Sequence, residues 1–250
     1  MKLNLVNKLY ISIAVLLFIC LSYKIINYKG WERFYYFSSV SAPADYPVFI
    51  EKIQFQLPDK EDSHDFYQSR DENVNAFRTG WGEEYYSAWV HEPLRLPETL
   101  VIEYASYAEQ KFYSGVINLP TAEILEIFKA ALREKRATKL SSSGGDKLGL
   151  RFVVGIAPQG NIVVWLRGVY LEKKILQTKI KAINPQASGK VAPGKDKTAL
   201  NLLFRELSDS VKLEIKKGSN ITTNYLDSST HYIEQNKELW EYQKKNHFID

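Results

Sequence analysis

RFVVGIAPQGNIVVWL, residues 151–166, decides how this chain folds. Two apolar runs flank Pro158, Gln159 and Gly160. Proline presets the first corner of a turn, and glycine accepts the positive φ that follows. In the second run Ile162, Val164 and Leu166 point one way and Val163 and Trp165 the other, so both faces are apolar. Strands of that kind are covered on both sides. The stretch therefore predicts a central β-hairpin. Its two glycines, Gly155 and Gly160, also invite comparison with a phosphate-binding loop. Such a loop needs Lys and then Ser or Thr after the second glycine; here Asn161 and Ile162 follow. The turn also joins two strands, so no helix N-terminus faces a phosphate.

The flanking sequence supplies the rest of a sheet. YPVFIEKIQFQL (46–57) alternates as a strand, and ETLVIEYAS (98–106) with KFYSGVINL (111–119) reads as a second hairpin. PTAEILEIFKAALREKR (120–136) predicts a helix capped by Thr121, with Ile124, Leu125, Phe128, Ala131 and Leu132 as its apolar stripe. KKILQTKIKAI (173–183) continues the sheet, 184–197 is a Pro/Gly/Lys loop, and 198–207 is a helix. VKLEI (211–215) alternates as a strand, and 230–246 forms a closing helix. Residues 58–75 and the Ser/Gly run at 141–147 are polar loops. The expected class is α+β: a mainly antiparallel β-sheet with packed helices, preceded by an N-terminal transmembrane or signal-anchor helix. Residues 1–29 are the anchor or signal segment, 30–45 a linker, and 46–250 a single extracytoplasmic domain.

The formal charge of +4 is local. Lys2, Lys8, Lys24 and Lys29 precede any acid; beyond them 29 bases balance 29 acids. The body therefore lacks the basic footprint of a nucleic-acid binder. LYISIAVLLFICLSY (9–23) carries no charge and suits membrane contact. A cleaved signal peptide wants a small-x-small site, and a lipoprotein signal wants small residues before its cysteine; Phe18 and Ile19 precede Cys20 instead. We read the segment as an uncleaved anchor, with those two as alternatives. Cys20 is the sole cysteine, so the body holds no disulfide framework, zinc CxxC pair or thiol nucleophile.

No catalytic motif emerges. His64, His91, His231 and His247 share no ligand spacing, and GxSxG is absent. No enzyme activity, metal or cofactor is expected. The positive oddity is aromatic: WGEEYYSAW (81–89) packs four aromatics beside acids. Such residues bury area while keeping a polar tip, as binding surfaces do; lining the sheet is the plainer use. The candidate partner-binding residues are Trp81, Glu83, Glu84, Tyr85, Tyr86 and Trp89. Glu109, Lys111 and Tyr113, in or beside the 98–119 hairpin, are assigned to the same surface.

Leu96-Pro97, then Glu109-x-Lys-Phe-Tyr113, then Leu119-Pro120, then Gly155-x-x-Pro-x-Gly160 with Trp165 form an ordered series over residues 45–185. It resembles the bacterial family known as domain of unknown function 2931, mostly envelope lipoproteins of Gram-negative cells. The resemblance implies a cell-envelope protein with no assigned catalytic residues. For part of the family it implies an immunity or accessory role beside type VI secretion effectors. The function expected is a non-catalytic, membrane-tethered envelope protein, anchored through residues 9–23 with its body in the periplasm. It binds another protein, in the sharpest form a toxin effector. An envelope hydrolase acting on lipid or glycan and a structural subunit of an envelope assembly are the alternatives.

Overall fold

A computed structural model describes residues 4–60, 64–66, 80–84, 86–88, 92–139, 147–186, 191–205, 207–217 and 224–246. The chain divides into two units, Met1–Arg33 and Phe34–Asp250.

The first unit is helix α1 (Leu5–Tyr28). The Asn4 side chain caps it by accepting the Asn7 N–H at 2.8 Å. Lys29, at φ 48°, ends it in the left-handed region. Its 24 residues span about 36 Å, more than the ~30 Å of a bilayer's hydrocarbon core. The uncharged run at 9–23 alone falls short of that; the helix makes up the difference by continuing past Lys8 and Lys24. None of its residues is buried. It is long and apolar enough to cross a membrane.

The second unit begins with a correction. Residues 30–45, expected as a linker, contain β1 (Arg33–Ser41), and this strand sits inside a sheet. The following strands are β2 (Val48–Gln56), β3 (His64–Asp65), β4 (Tyr86–Ala88), β5 (Leu94–Arg95), β6 (Thr99–Ser106) and β7 (Lys111–Asn118). After α2 (Thr121–Arg133) come β8 (Thr138–Lys139), β9 (Leu148–Ala157), β10 (Asn161–Gly168), β11 (Leu171–Lys179) and β12 (Ala182–Ile183). Helices α3 (Asp196–Leu203), α4 (Asp209–Lys217) and α5 (Tyr232–Lys245) close the chain.

The strands form two sheets, so the class is α+β as expected. One runs β11-β10-β9-β1-β4, with β5 on β1 and β8 on β9; the other runs β12-β7-β6-β2-β3. The predicted hairpin is β9–β10, paired from Ala157↔Asn161 to Arg151↔Arg167. The second predicted hairpin is β6–β7. Antiparallel pairing dominates, but β1 lies parallel to β9, from Tyr35↔Gly149 to Ser41↔Gly155.

Aromatic rings join the sheets. Phe152 of β9 meets Phe55 of β2 at 5.0 Å and Tyr36 of β1 at 5.3 Å, and Phe128 of α2 caps the group 5.9 Å from Phe152. All four are fully buried. Burial of each such side chain stabilises by about 1.5–3 kcal/mol, and the tilted and edge-on ring geometries add to that. Helix α2 buries Ile124, Ile127, Phe128 and Ala131. Ile127 takes the place expected for Leu132, which is exposed. Thr121 is not the cap: its hydroxyl donates to the Pro97 and Leu119 carbonyls, and the N-cap position is Pro120.

The two faces of β10 divide as predicted. Ile162, Val164 and Leu166 join the core between the sheets, while Val163 and Trp165 pack outside with Val153, Trp81 and Leu226. The outer face of the second sheet (Ala105, Tyr107, Phe112) is covered by Leu200, Phe204 and Leu207, together with Ile215 of α4. VKLEI is thus helical rather than extended. Five alternating residues also place Val211 and Ile215 one turn apart, and Asp209, Lys216 and Lys217 sit at the ends the helix dipole favours. The 198–207 helix is shifted, starting at Asp196 and ending at Leu203. Residues 173–183 do not stay in one sheet: β11 pairs with β10, and β12 pairs with β7. The closing helix is present as α5, with Trp240 buried against Tyr170 and Tyr232.

Phe152→Ala removes the ring shared by both sheets and α2. We expect a loss of about 3–5 kcal/mol in urea unfolding of the detergent-solubilised chain. A loss below about 1 kcal/mol, the size of a surface substitution, contradicts this packing.

Candidate functional site

Two polar clusters tie separate parts of the fold together. The first lies on the outer face of the β11-β10-β9-β1-β4 sheet. Arg151 of β9, Arg167 of β10 and Glu172 of β11 are successive cross-strand neighbours. Arg167 is almost wholly buried. Its Nε donates to Glu172 Oε2 at 2.7 Å and its Nη1 to the Gly82 carbonyl at 2.6 Å. Glu84 receives Arg151 Nη1 at 2.9 Å and the Ser39 hydroxyl at 2.8 Å, and lies 3.6 Å from Arg167. Two adjacent arginines repel across the strands, and Glu84 sits where it neutralises both. The cluster also fixes distant chain. Thr230 donates to Glu172, Tyr232 lies under the Arg167 guanidinium at 4.4 Å, and the Ser41 hydroxyl accepts the Gly82 N–H at 2.9 Å.

The second cluster gathers at the seam between the sheets, around Glu109. This residue lies in the turn from β6 to β7, where the Ser106 hydroxyl accepts its N–H at 3.2 Å. Its carboxylate accepts the hydroxyls of Tyr46 and, at 3.1 Å, Tyr113. It also accepts the Gln159 backbone N–H, at 3.1 and 3.2 Å, from the β9–β10 turn. That turn has a fixed form: Gln159 and Gly160 both have positive φ. A Cβ on Gly160 would stand 2.2 Å from the Ile180 carbonyl oxygen, so only glycine fits. Tyr104 stacks on Tyr113 with centroids 5.0 Å apart.

Beside Glu109 opens a cleft of about 720 Å³. It is lined by Glu109, Lys111, Tyr113, Gln159, Lys179, Ile180, Lys181 and Ala182. Burial, reinforced by Tyr104 and Glu109, pushes the Tyr46 phenol well above its ordinary pKa. Burial and then Glu109 do the same to Tyr113. Both hydroxyls therefore stay protonated and donate to the carboxylate.

The described candidate residues fall in two neighbourhoods. Glu109, Lys111 and Tyr113 line the cleft. Trp81 packs on Trp165 at 5.1 Å and Tyr225 at 6.0 Å, the sheet-lining use of an aromatic. Its indole Nε1 is buried with no hydrogen-bond partner among the described residues. Glu84 is spent on the arginines, and Glu83 accepts the Gly80 N–H at 3.0 Å in its own turn. Tyr86 lies in β4, opposite Val40 of β1. Tyr85 and Trp89 lie outside the described residues.

The reading from sequence missed Arg167, Glu172, Gln159, Lys179 and Lys181. Arg167 had a signal: a charge on a strand covered on both faces needs an acid nearby, and Glu172 follows across a tight turn. Lys179 and Lys181 had none, because a lysine at a strand end is ordinarily solvated. Among the described residues no group of His, Cys, Asp and Glu has the arrangement of a metal site.

This chain belongs to the family described as Protein of unknown function (DUF2931), whose family model matches residues 23–235. Two of the ordered motifs meet in space: Glu109 and Tyr113 contact the Pro158–Gly160 turn at the seam. No curated protein and no solved structure matches the chain.

Burial and the bond to Asp45 push Tyr225 up to about 12, and burial pushes Tyr232 up to about 12 against the opposing Arg151 and Arg167. Between pH 10 and 12 the folded state keeps protons that the unfolded chain loses. Stability is therefore full below about pH 10 and falls as pH rises through about 12. Urea midpoints across pH 8–12 check this; a midpoint constant to pH 12 contradicts it.

Proposed function

We propose that this chain, as a member of that family, is a membrane-tethered envelope protein whose body binds another protein and performs no chemistry of its own. The observation that carries the reading is α1. Its apolar side chains are exposed along its length, and an apolar helix with no protein cover needs an apolar phase around it. The uncleaved helix then tethers the body, which lies on the periplasmic side of the membrane.

The polar clusters support a binding role. Glu84, Glu109 and Glu172 each accept hydrogen bonds or ion pairs from their own fold, which makes them clamps rather than free acids. A general acid or base needs a group free to exchange its proton with a substrate. An inhibitor of an incoming toxin needs a different set of properties: a stable folded surface, held where the toxin arrives. In its sharpest form the partner is a type VI secretion effector and this chain is its immunity protein.

The test is fractionation followed by co-purification of the tagged full chain from detergent-solubilised envelopes. The chain is expected in the membrane pellet after a carbonate wash, with one stoichiometric protein partner. Cells carrying it should survive delivery of that partner if the partner is a toxin. Recovery in the soluble fraction contradicts the tether. A membrane-bound chain with no partner contradicts the binding role.

A further inference from the structure

We infer that the cleft beside Glu109 receives an acidic side chain of the protein partner, recognised by Lys111, Lys179 and Lys181. The inference rests on the binding function proposed above and names the chemistry of its contact.

Three lysines and a single carboxylate line the cleft. That carboxylate, Glu109, is already occupied by Tyr46, Tyr113 and the Gln159 N–H. Among the described residues Lys179 Nζ reaches only the neutral Gln159 Oε1, at 3.4 Å. Lys111 and Lys181 have no ion-pair partner among the described residues. Elsewhere lysines do find acids: Lys173 pairs with Glu123 at 2.9 Å, and Lys129 with Glu126 at 3.1 Å. The body is neutral as a whole, with 29 bases and 29 acids beyond residue 29. An uncompensated positive cleft is therefore a local feature.

Lys111 comes from the start of β7, and Lys179 and Lys181 flank Ile180 where the chain passes from β11 to β12, so two segments bring the lysines to one cleft. Tyr113 forms an aromatic wall. The floor is held by the Ile180 N–H, which donates to the Gly160 carbonyl at 2.8 Å. Lysine is a mobile point charge on a long stem, so three of them can follow one carboxylate into the concavity. A contact of this kind forms quickly and weakens with salt.

The experiment measures binding of a fluorescent oligoglutamate peptide to the full chain in neutral detergent, with oligoglutamine as control. The comparison protein is the triple variant Lys111→Gln, Lys179→Gln, Lys181→Gln. All three lysines are exposed, so the variant is expected to fold, and its urea midpoint checks that. Saturable, salt-weakened binding of oligoglutamate, reduced about tenfold or more in the variant, is the expected result. No saturable binding, or equal binding by the variant, overturns the inference. Capture of phosphatidylglycerol vesicles through these lysines without peptide binding also overturns it, assigning the cleft to lipid headgroups. A partner held equally by wild type and variant overturns this inference alone. Absence of any partner for wild type counts against the binding function itself.

Discussion

The Glu109 carboxylate is the constraint on which the arrangement of the two sheets and the cleft depends. It sits in the turn of one sheet and accepts a backbone N–H from the turn of the other. Tyr46, from the segment between β1 and β2, closes the third side. Hydrogen bonds to an ionised acceptor are about twice as strong as neutral ones. The donors here are phenols that burial keeps protonated, so the pairing is unambiguous. The same clamp sets the shape of the cleft, because Tyr113 and Gln159 are both its ligands and the cleft's lining.

The outer face of the other sheet solves a harder problem. Arg151 and Arg167 are paired across adjacent strands, and one of them is buried. Among the described residues their charges are balanced by Glu84 from a loop and Glu172 from the next strand. Removal of Glu172 would take the nearest acid from the buried Arg167, which is costly. The same contacts tie the loop at 80–84 and the segment at 230–232 to the sheet. Trp81 is held there too, and its aromatic character serves the fold.

Much of this was legible in the sequence where hydrophobic period alone decides. The β9–β10 hairpin, the opposed faces of β10, the β6–β7 hairpin and α2 all follow from spacing. β1 was not legible because FSSVS looks like a linker. Two of its buried serines are satisfied by partners more than forty positions away, Glu84 for Ser39 and Gly82 for Ser41. VKLEI was ambiguous because five residues fit both periods, and the packing against Tyr107 and Phe112 decides for the helix. At the cleft, Glu109, Lys111 and Tyr113 were found because they cluster in one hairpin. Lys179 and Lys181 reach the same place only because the chain leaves β11 for the other sheet, a crossing that no local pattern records.

The central claim is that Glu109 and Tyr113 act as one unit at the seam. A double-mutant cycle of Glu109→Gln and Tyr113→Phe, followed by urea unfolding of the detergent-solubilised full chain, tests it most directly. The account predicts a coupling energy of about 0.5–3 kcal/mol, because the two side chains share one hydrogen bond. Additivity to within about 0.3 kcal/mol would contradict it, since independent sites add.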